Sequence, residues 1–254
     1  VSGRLVVIGL GPGNASQVTP EASQAVASAT FFYGYKPYLD RLDLKPGQTA
    51  VASDNREEIS RAGAALEKAA SGAHVAVVSG GDPGVFAMAA AVCEAIEAGP
   101  VEWRSIELEV VPGVTAMLAV AARIGAPLGH DFCAISLSDN LKPWDLIERR
   151  LKAAAEAGFV IALYNPISKA RPWQLGKAFE LLRGVLPATT PVVFGRAAGR
   201  PDEKIAIAKL GQADPAQADM ATCVMIGSPE TRIIERDGQG PLVYTPRFSA
   251  VGQR

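Results

Sequence analysis

Two histidines, His74 and His130, and three cysteines, Cys93, Cys133 and Cys223, are all that 254 residues supply of either type. The cysteines form no CxxC pair, so neither a disulfide framework nor a zinc knuckle is expected. Two histidines are too few for a His-rich metal centre, and no metal is expected. Each cysteine should pack as a small hydrophobe in a reducing compartment. Charge of one sign is lacking too: 25 Lys and Arg stand against 26 Asp and Glu, a formal net charge of −1. Such a balance excludes a broad electrostatic match to nucleic acid, and an anionic ligand would need a local cluster of cations. No apolar run is long enough to span a bilayer and no signal-peptide pattern is present. Membrane association is therefore not expected, and the cytoplasm is the expected compartment.

What is present is apolar residues in quantity, 48% of the chain, enough for one large domain or two smaller ones with real cores. Short β-rich runs alternate with Ala-rich helical stretches. "RLVVIGL" from Arg4 reads as a buried strand. "TPEASQAVASA" reads as a helix capped by Thr19, with Pro20 at its first position and Glu21 at the positive end of its dipole. Ala22, Ala25, Val26 and Ala29 give it one apolar face. "HVAVVSG" and "ELEVVPG" are further buried strands, each followed by a glycine turn and a helical stretch. Repetition of strand, glycine turn and helix predicts right-handed βαβ units and a mainly parallel sheet. Strands are also predicted at "FCAISL", "FVIALYN", "TPVVFGR" and "TCVMIG". A break near "VVPGVTA" divides the chain into two α/β domains, 1–113 and 114–248. The first is expected to hold a mainly parallel sheet and the second a mixed one, with the active site in the cleft between them.

The first loop, "GLGPGN", half fits a dinucleotide fingerprint. Gly9 and Gly11 match GxGxxG, but the next glycine is Gly13, and Asn14 stands where the pattern wants glycine. No acidic residue follows at the distance that grips a ribose, and no GK[ST] follows to make a phosphate loop. On its own the stretch is a tight βα turn. Four further loops accompany it: "SGGDPGVFAM", "VVPGVTAM", "GHDFCAISLSD" and "LYNPISKARPWQL".

Together the five loops resemble the class III S-adenosylmethionine-dependent methyltransferases of tetrapyrrole biosynthesis, from about Leu5 to Gly227. "GYKPYLDRL", "GHDFCAISLSD" and "LYNPISKARPWQL" narrow the resemblance to cobalamin-branch members that methylate the macrocycle and drive its ring contraction. One group there acts on a metal-free precursor and an oxygen-independent group on a cobalt-bearing one. The resemblance implies S-adenosyl-L-methionine as methyl donor, S-adenosyl-L-homocysteine as its product, a polyanionic tetrapyrrole substrate and a homodimer. Gly80, Gly81 and Asp82 match its cofactor-binding GGD, and Val85, Thr115 and Ala116 match further cofactor contacts. Pro12, Asn165, Ala197 and Thr222 match cofactor-lining positions. Gly11, Gly13, Lys36, Arg56, Ser136, Ser138, Lys169 and Arg171 are candidates to meet the substrate, with Lys142 and Arg196 as further cations. Lys36, Arg56, Lys169 and Arg171 are expected to border one trough beside the first loop.

Tyr35 falls where uroporphyrinogen methyltransferases of this class carry an aspartate proposed as a base, so that base does not carry over. Methyl transfer to an electron-rich ring carbon needs positioning and desolvation rather than a strong base. Ring contraction calls for general acid–base help, and Tyr35, His130 and Asp139 are the candidates. Two other classes stay open on the residues alone: an NAD-dependent oxidoreductase, and a tetrapyrrole carrier without catalysis.

Overall fold

Leu5, Val6, Val7 and Ile8 are each no more than 1% exposed, yet neighbours in a strand point to opposite faces. Both faces of this strand must therefore be covered. In the computed structural model, which describes residues 3–54 and 57–248, they are. β1 (Arg4–Gly9), α1 (Pro20–Ser28), β2 (Phe31–Tyr35), α2 (Lys36–Leu39), β3 (Thr49–Ser53), α3 (Glu58–Ala70), β4 (His74–Ser79), α4 (Met88–Ala98) and β5 (Glu107–Val111) make up the first of two compact units, Val1–Thr115. The strands form one sheet in the order β3-β2-β4-β1-β5, and every pairing is parallel. Leu5, Val7, Val75 and Val77 pack under α3 and α4 against Ala62, Leu66 and Val92. Val6, Ile8, Ala76 and Val78 pack on the other face against Ala22 of α1 and Leu39 of α2. Coverage of both faces is why the central strands read as unbroken apolar runs. α1 starts as its sequence dictates: Thr19 Oγ1 accepts from the Ala22 N–H at 3.1 Å, and Pro20 holds the first position.

The second unit, Ala116–Arg254, holds α5 (Ala116–Ile124), β6 (Gly125–Ala126), β7 (Phe132–Ser136), α6 (Trp144–Glu156), β8 (Val160–Tyr164), α7 (Gln174–Arg183), β9 (Pro191–Arg196), β10 (Lys204–Lys209), β11 (Thr222–Ile226), β12 (Arg232–Arg236) and β13 (Gln239–Tyr244). Its main sheet has the order β10-β9-β11-β8-β7. Only β7 and β8 pair in parallel, so this sheet is mixed. A small sheet, β12-β13-β6, joins the last hairpin to the end of α5. Leu151, Leu163, Phe179, Leu182 and Val224 anchor the core between α6, α7 and the main sheet. Among the described residues no helix is long and apolar enough to cross a membrane.

Candidate functional site

In the first unit the candidate residues lie where strands end. Gly9 pairs with Ser79 and Ile8 with Val111, so the loops after β1, β4 and β5 leave the sheet side by side. They are joined backbone to backbone. Gly11 donates to Gly81 O at 3.1 Å, and Gly81 donates back to Gly11 O at 2.8 Å. Asp82 binds the third loop: Oδ2 accepts from the Gly113 N–H at 3.0 Å, while Oδ1 accepts from the Gly84 N–H at 2.8 Å. The spacing leaves no room for side chains. A Cβ on Gly113 would sit 2.2 Å from Gly81 O, and one on Gly9 would sit 2.7 Å from Gly113 N. One on Gly80 would lie 2.6 Å from the Tyr38 ring. Gly11 and Gly81 have φ of 65° and 67°, a region that glycine enters without cost. Asn14, where a dinucleotide fingerprint would have glycine, instead caps a short 3-10 turn by accepting from the Ser16 N–H at 2.9 Å.

Gly11 and Pro12 are buried in this knot and Gly13 is half-buried. Val85 follows on the β4 loop; Thr115 is buried and Ala116 half-buried at the start of α5. Tyr35 ends β2, its ring edge-on to Tyr38 at 5.6 Å. Lys36 opens α2, exposed, with Nζ 2.7 Å from Asp40 Oδ1. Arg56 lies outside the described residues. Sequence reasoning missed Arg41, whose guanidinium donates to the carbonyls of Leu10 and, at 3.1 Å, Gly11. It braces the first loop from outside. Its only sequence signal is membership of "GYKPYLDRL".

In the second unit β8 and β9 are both antiparallel to β11, and β7 is parallel to β8. The ends of β7, β8 and β9 and the start of β11 thus share one edge. Ser136, Asn165, Ala197 and Thr222 all fall on it. Asn165 Nδ2 donates to Ser136 Oγ at 3.0 Å, and the Ser138 N–H reaches the same oxygen at 3.3 Å. Asn165 and Ala197 have φ of 50° and 49°, left-handed backbone that costs any side-chain-bearing residue energy and that gathers at functional sites. Thr222 is buried, and its hydroxyl donates to Asp219 Oδ1 at 2.8 Å. Burial pushes the Asp219 carboxyl up, but bonds from Thr222, Arg196 and the Ala221 N–H outweigh it and hold it below the usual carboxylate range.

The cations of this unit are mostly engaged. Arg196 lies between Asp219 and Asp202, 2.7 Å from each. Arg171 Nε is 3.2 Å from Asp139 Oδ1, and the same oxygen accepts from Gln174 Nε2 at 2.9 Å. Gln174, 1% exposed, also donates to Leu137 O at 2.7 Å. It fixes the loop that carries Ser138 and Asp139, a role not visible in its sequence. Lys169 is exposed on the loop after β8. Burial, reinforced by Arg150, lowers the Lys142 ammonium below the ordinary lysine value, and no ion pair offsets it among the described residues. His130 stands apart: it precedes β7, at the opposite edge from Ser136, and its Nδ1 accepts from the Asp131 N–H at 2.7 Å. A cavity of about 530 Å³ near Ala126, Arg232 and Tyr244 holds none of the candidate residues.

The comparisons with known proteins agree with one another. The family model for tetrapyrrole (corrin/porphyrin) methylases matches residues 4–214. The chain is 75% identical over 250 residues to a precorrin-3B C(17)-methyltransferase of Sinorhizobium sp, covering 98% of each. It is 41% identical over 244 residues to a probable cobalt-factor III C(17)-methyltransferase of Salmonella typhimurium, covering 96% of this chain and 98% of that one. A crystal structure of the methyltransferase CobJ superposes with a TM-score of 0.91 at 50% identity, over 96% of this chain and all of that one. With glycine loops knotted at the ends of parallel strands, and a family match over residues 4–214, this chain belongs to the tetrapyrrole methylases.

Proposed function

We propose that this chain methylates precorrin-3B at carbon 17, with S-adenosylmethionine as donor, and contracts the ring to precorrin-4. The observation that carries the reading is the 75% identity over 98% of both chains to the Sinorhizobium precorrin-3B C(17)-methyltransferase. The oxygen-independent reaction on a cobalt-bearing substrate is the second reading, and the identity of 41% to the Salmonella relative supports it less strongly. A homodimer is part of the proposal and rests on family likeness.

The residues present fit the donor. When bound, S-adenosylmethionine supplies an electrophilic sulfonium methyl for attack by an electron-rich carbon. Gly80 and Gly81 keep the turn after β4 tight, with no side chain in the way, and the Asp82 carboxylate, already oriented by two N–H groups, places negative charge near a cationic ligand. From the second unit, the strained residues Asn165 and Ala197 and the buried Thr222 are the proposed contributors. The chain's part in methyl transfer is to orient the two reactants and exclude water. For ring contraction, Tyr35 and Asp139 are the proposed proton-transfer residues, because Tyr35 ends β2 and Asp139 lies in the loop that follows the C-terminal end of β7; His130 stands at the other end of β7. Conservative variants Tyr35→Phe and Asp139→Asn should methylate but stall before contraction, whereas His130→Gln should not stall. Mass and absorbance spectra of the products report both steps.

Calorimetry with S-adenosylhomocysteine and with NAD, followed by turnover of precorrin-3B and of cobalt-factor III, tests the reading. Binding of the homocysteine product, no binding of NAD and preference for the metal-free substrate are expected. NAD binding, or preference for the cobalt compound, contradicts it.

A further inference from the structure

The cavity of about 530 Å³ in the second unit lies against the small sheet β12-β13-β6. Gly129, on its lining, comes just before β7, at the edge away from Ser136 and Asn165. The methyl-transfer reading makes no use of it. Its volume suits a small organic ligand, and two guanidiniums line it, Arg232 and Arg247. Neither has an ion pair or a hydrogen bond from its side chain among the described residues, whereas Arg123, Arg171, Arg183 and Arg196 of the same unit are all engaged. Two like charges on one cavity repel each other, and no acidic residue lines it to offset them.

The wall that carries these residues is fixed by the fold. Register sets Arg232 opposite Tyr244 in the β12–β13 hairpin, so both side chains leave the same face. Behind them runs a chain of buried hydroxyls. Thr231, beside Arg232, has its Oγ1 2.9 Å from that of Thr245, beside Tyr244. Thr245 Oγ1 donates onward to Pro127 O at 2.6 Å, and Thr231 Oγ1 accepts from the Ser228 N–H at 2.8 Å. The Thr245 N–H donates to Ala126 O at 3.1 Å. Both threonines are buried, and a buried network with its partners in place is rigid. Gly129 lets the two segments close up, since a Cβ there would lie 2.4 Å from Thr245 O. The rings of Tyr244 and Phe248 complete the lining, and Phe248 is exposed. Guanidiniums pair with carboxylate or phosphate oxygens, and aromatic rings pack on flat apolar groups. Together they select a ligand that has both.

We propose that this cavity binds a flat organic anion, a ring bearing a phosphate or a carboxylate, with the acidic group on Arg232 and Arg247 and the ring against Tyr244 and Phe248. It goes beyond the methyltransferase reading and uses none of that reading's residues, so binding measurements on the full chain test it without turnover. Calorimetry takes uridine monophosphate as the phosphate-bearing probe and 2-naphthoate as the carboxylate-bearing one, with inorganic phosphate and uridine as the separate halves of the first. At least one of the two probes should bind at a single site with Kd below about 1 mM, equally with and without S-adenosylhomocysteine. Binding of uridine monophosphate alone makes the ligand phosphate-bearing, and of 2-naphthoate alone carboxylate-bearing; either supports the site. Arg232→Gln and Arg247→Gln should each weaken the bound probe about tenfold or more, and Phe248→Ala about threefold, with unfolding temperatures unchanged. Arg247 is exposed and outside any strand, so its variant tests the site even where Arg232→Gln disturbs the hairpin. Absence of binding by both probes, binding that survives the arginine variants, or inorganic phosphate bound as tightly as uridine monophosphate would overturn the proposal. Displacement of the probe by S-adenosylhomocysteine would put it in the proposed cofactor site instead, and overturn it too.

Discussion

At the scale of the residue, Asp82 ties two loops together, and contact with the cofactor is a second task that we propose for it. The sequence marks it as a cofactor ligand through the GGD motif, but not that its two oxygens tie the β4 loop to the β5 loop. Such partners are distant in sequence, so no local pattern reveals them; the same holds for Arg41 and the first loop. Asp82→Ala should weaken S-adenosylhomocysteine binding by about 1–3 kcal/mol and also lower the unfolding temperature. Asp82→Asn, which keeps one acceptor, should fall between, and unchanged affinity in a folded variant would remove Asp82 from the site. Cys223 offers a pH test. Burial pushes its thiol up to about 12, above its unfolded value. Its contribution to stability is therefore complete below pH of about 8.5–9, where the unfolded thiol is still protonated, and is lost as pH climbs toward 12. Urea midpoints across that range should decline less steeply for Cys223→Ala than for wild type. In the native protein at neutral pH, exposed Cys93 should react with a thiol reagent and Cys223 should not.

At the scale of the element, glycines divide into those the knot requires and those it does not. Gly113→Ala places a Cβ 2.2 Å from a carbonyl oxygen, so the three loops must separate; a loss of at least about 1–3 kcal/mol is expected, with cofactor-product binding lost in step. Gly63 sits within α3, where a Cβ would meet the Trp103 ring at an ordinary 3.7 Å. Gly63→Ala should stabilise by about 0.5–1 kcal/mol and leave binding alone. Calorimetric unfolding of the pair checks both. The elements legible in the sequence are those with strong apolar runs, caps or Ala-rich stretches: β1, β4, β5, α1, α4, α5 and the strands β7, β8, β9 and β11. β2 and β3 escaped because "FFYGY" has a glycine inside it and "TAVAS" is a short exposed edge strand without alternation. β6 has two residues and exists only through pairing with β13, which no local reading anticipates.

At the scale of the whole molecule, a chain of net charge −1 would have to hold the proposed polyanionic substrate by local pairs at its surface, and such pairs are screened over about 8–10 Å at physiological ionic strength. Affinity for precorrin-3B should fall as salt rises, while affinity for S-adenosylhomocysteine, which we propose meets backbone and one carboxylate, should change little. The parallel first sheet is readable from the order of strands and glycine turns, since βαβ chirality leaves few alternatives; the mixed second sheet, with its antiparallel pairs, is expected only through family likeness. The substrate was not readable from physics alone: GxGPG and GGDP mark a cofactor, and the loops that mark a macrocycle do so by family likeness. The most direct test is therefore turnover with methyl-labelled S-adenosylmethionine and precorrin-3B, followed by nuclear magnetic resonance of the product. The account predicts the label on the carbon named in the Sinorhizobium relative, C(17), in a contracted ring. Label at another carbon, or no transfer by a protein that binds S-adenosylhomocysteine, would contradict it.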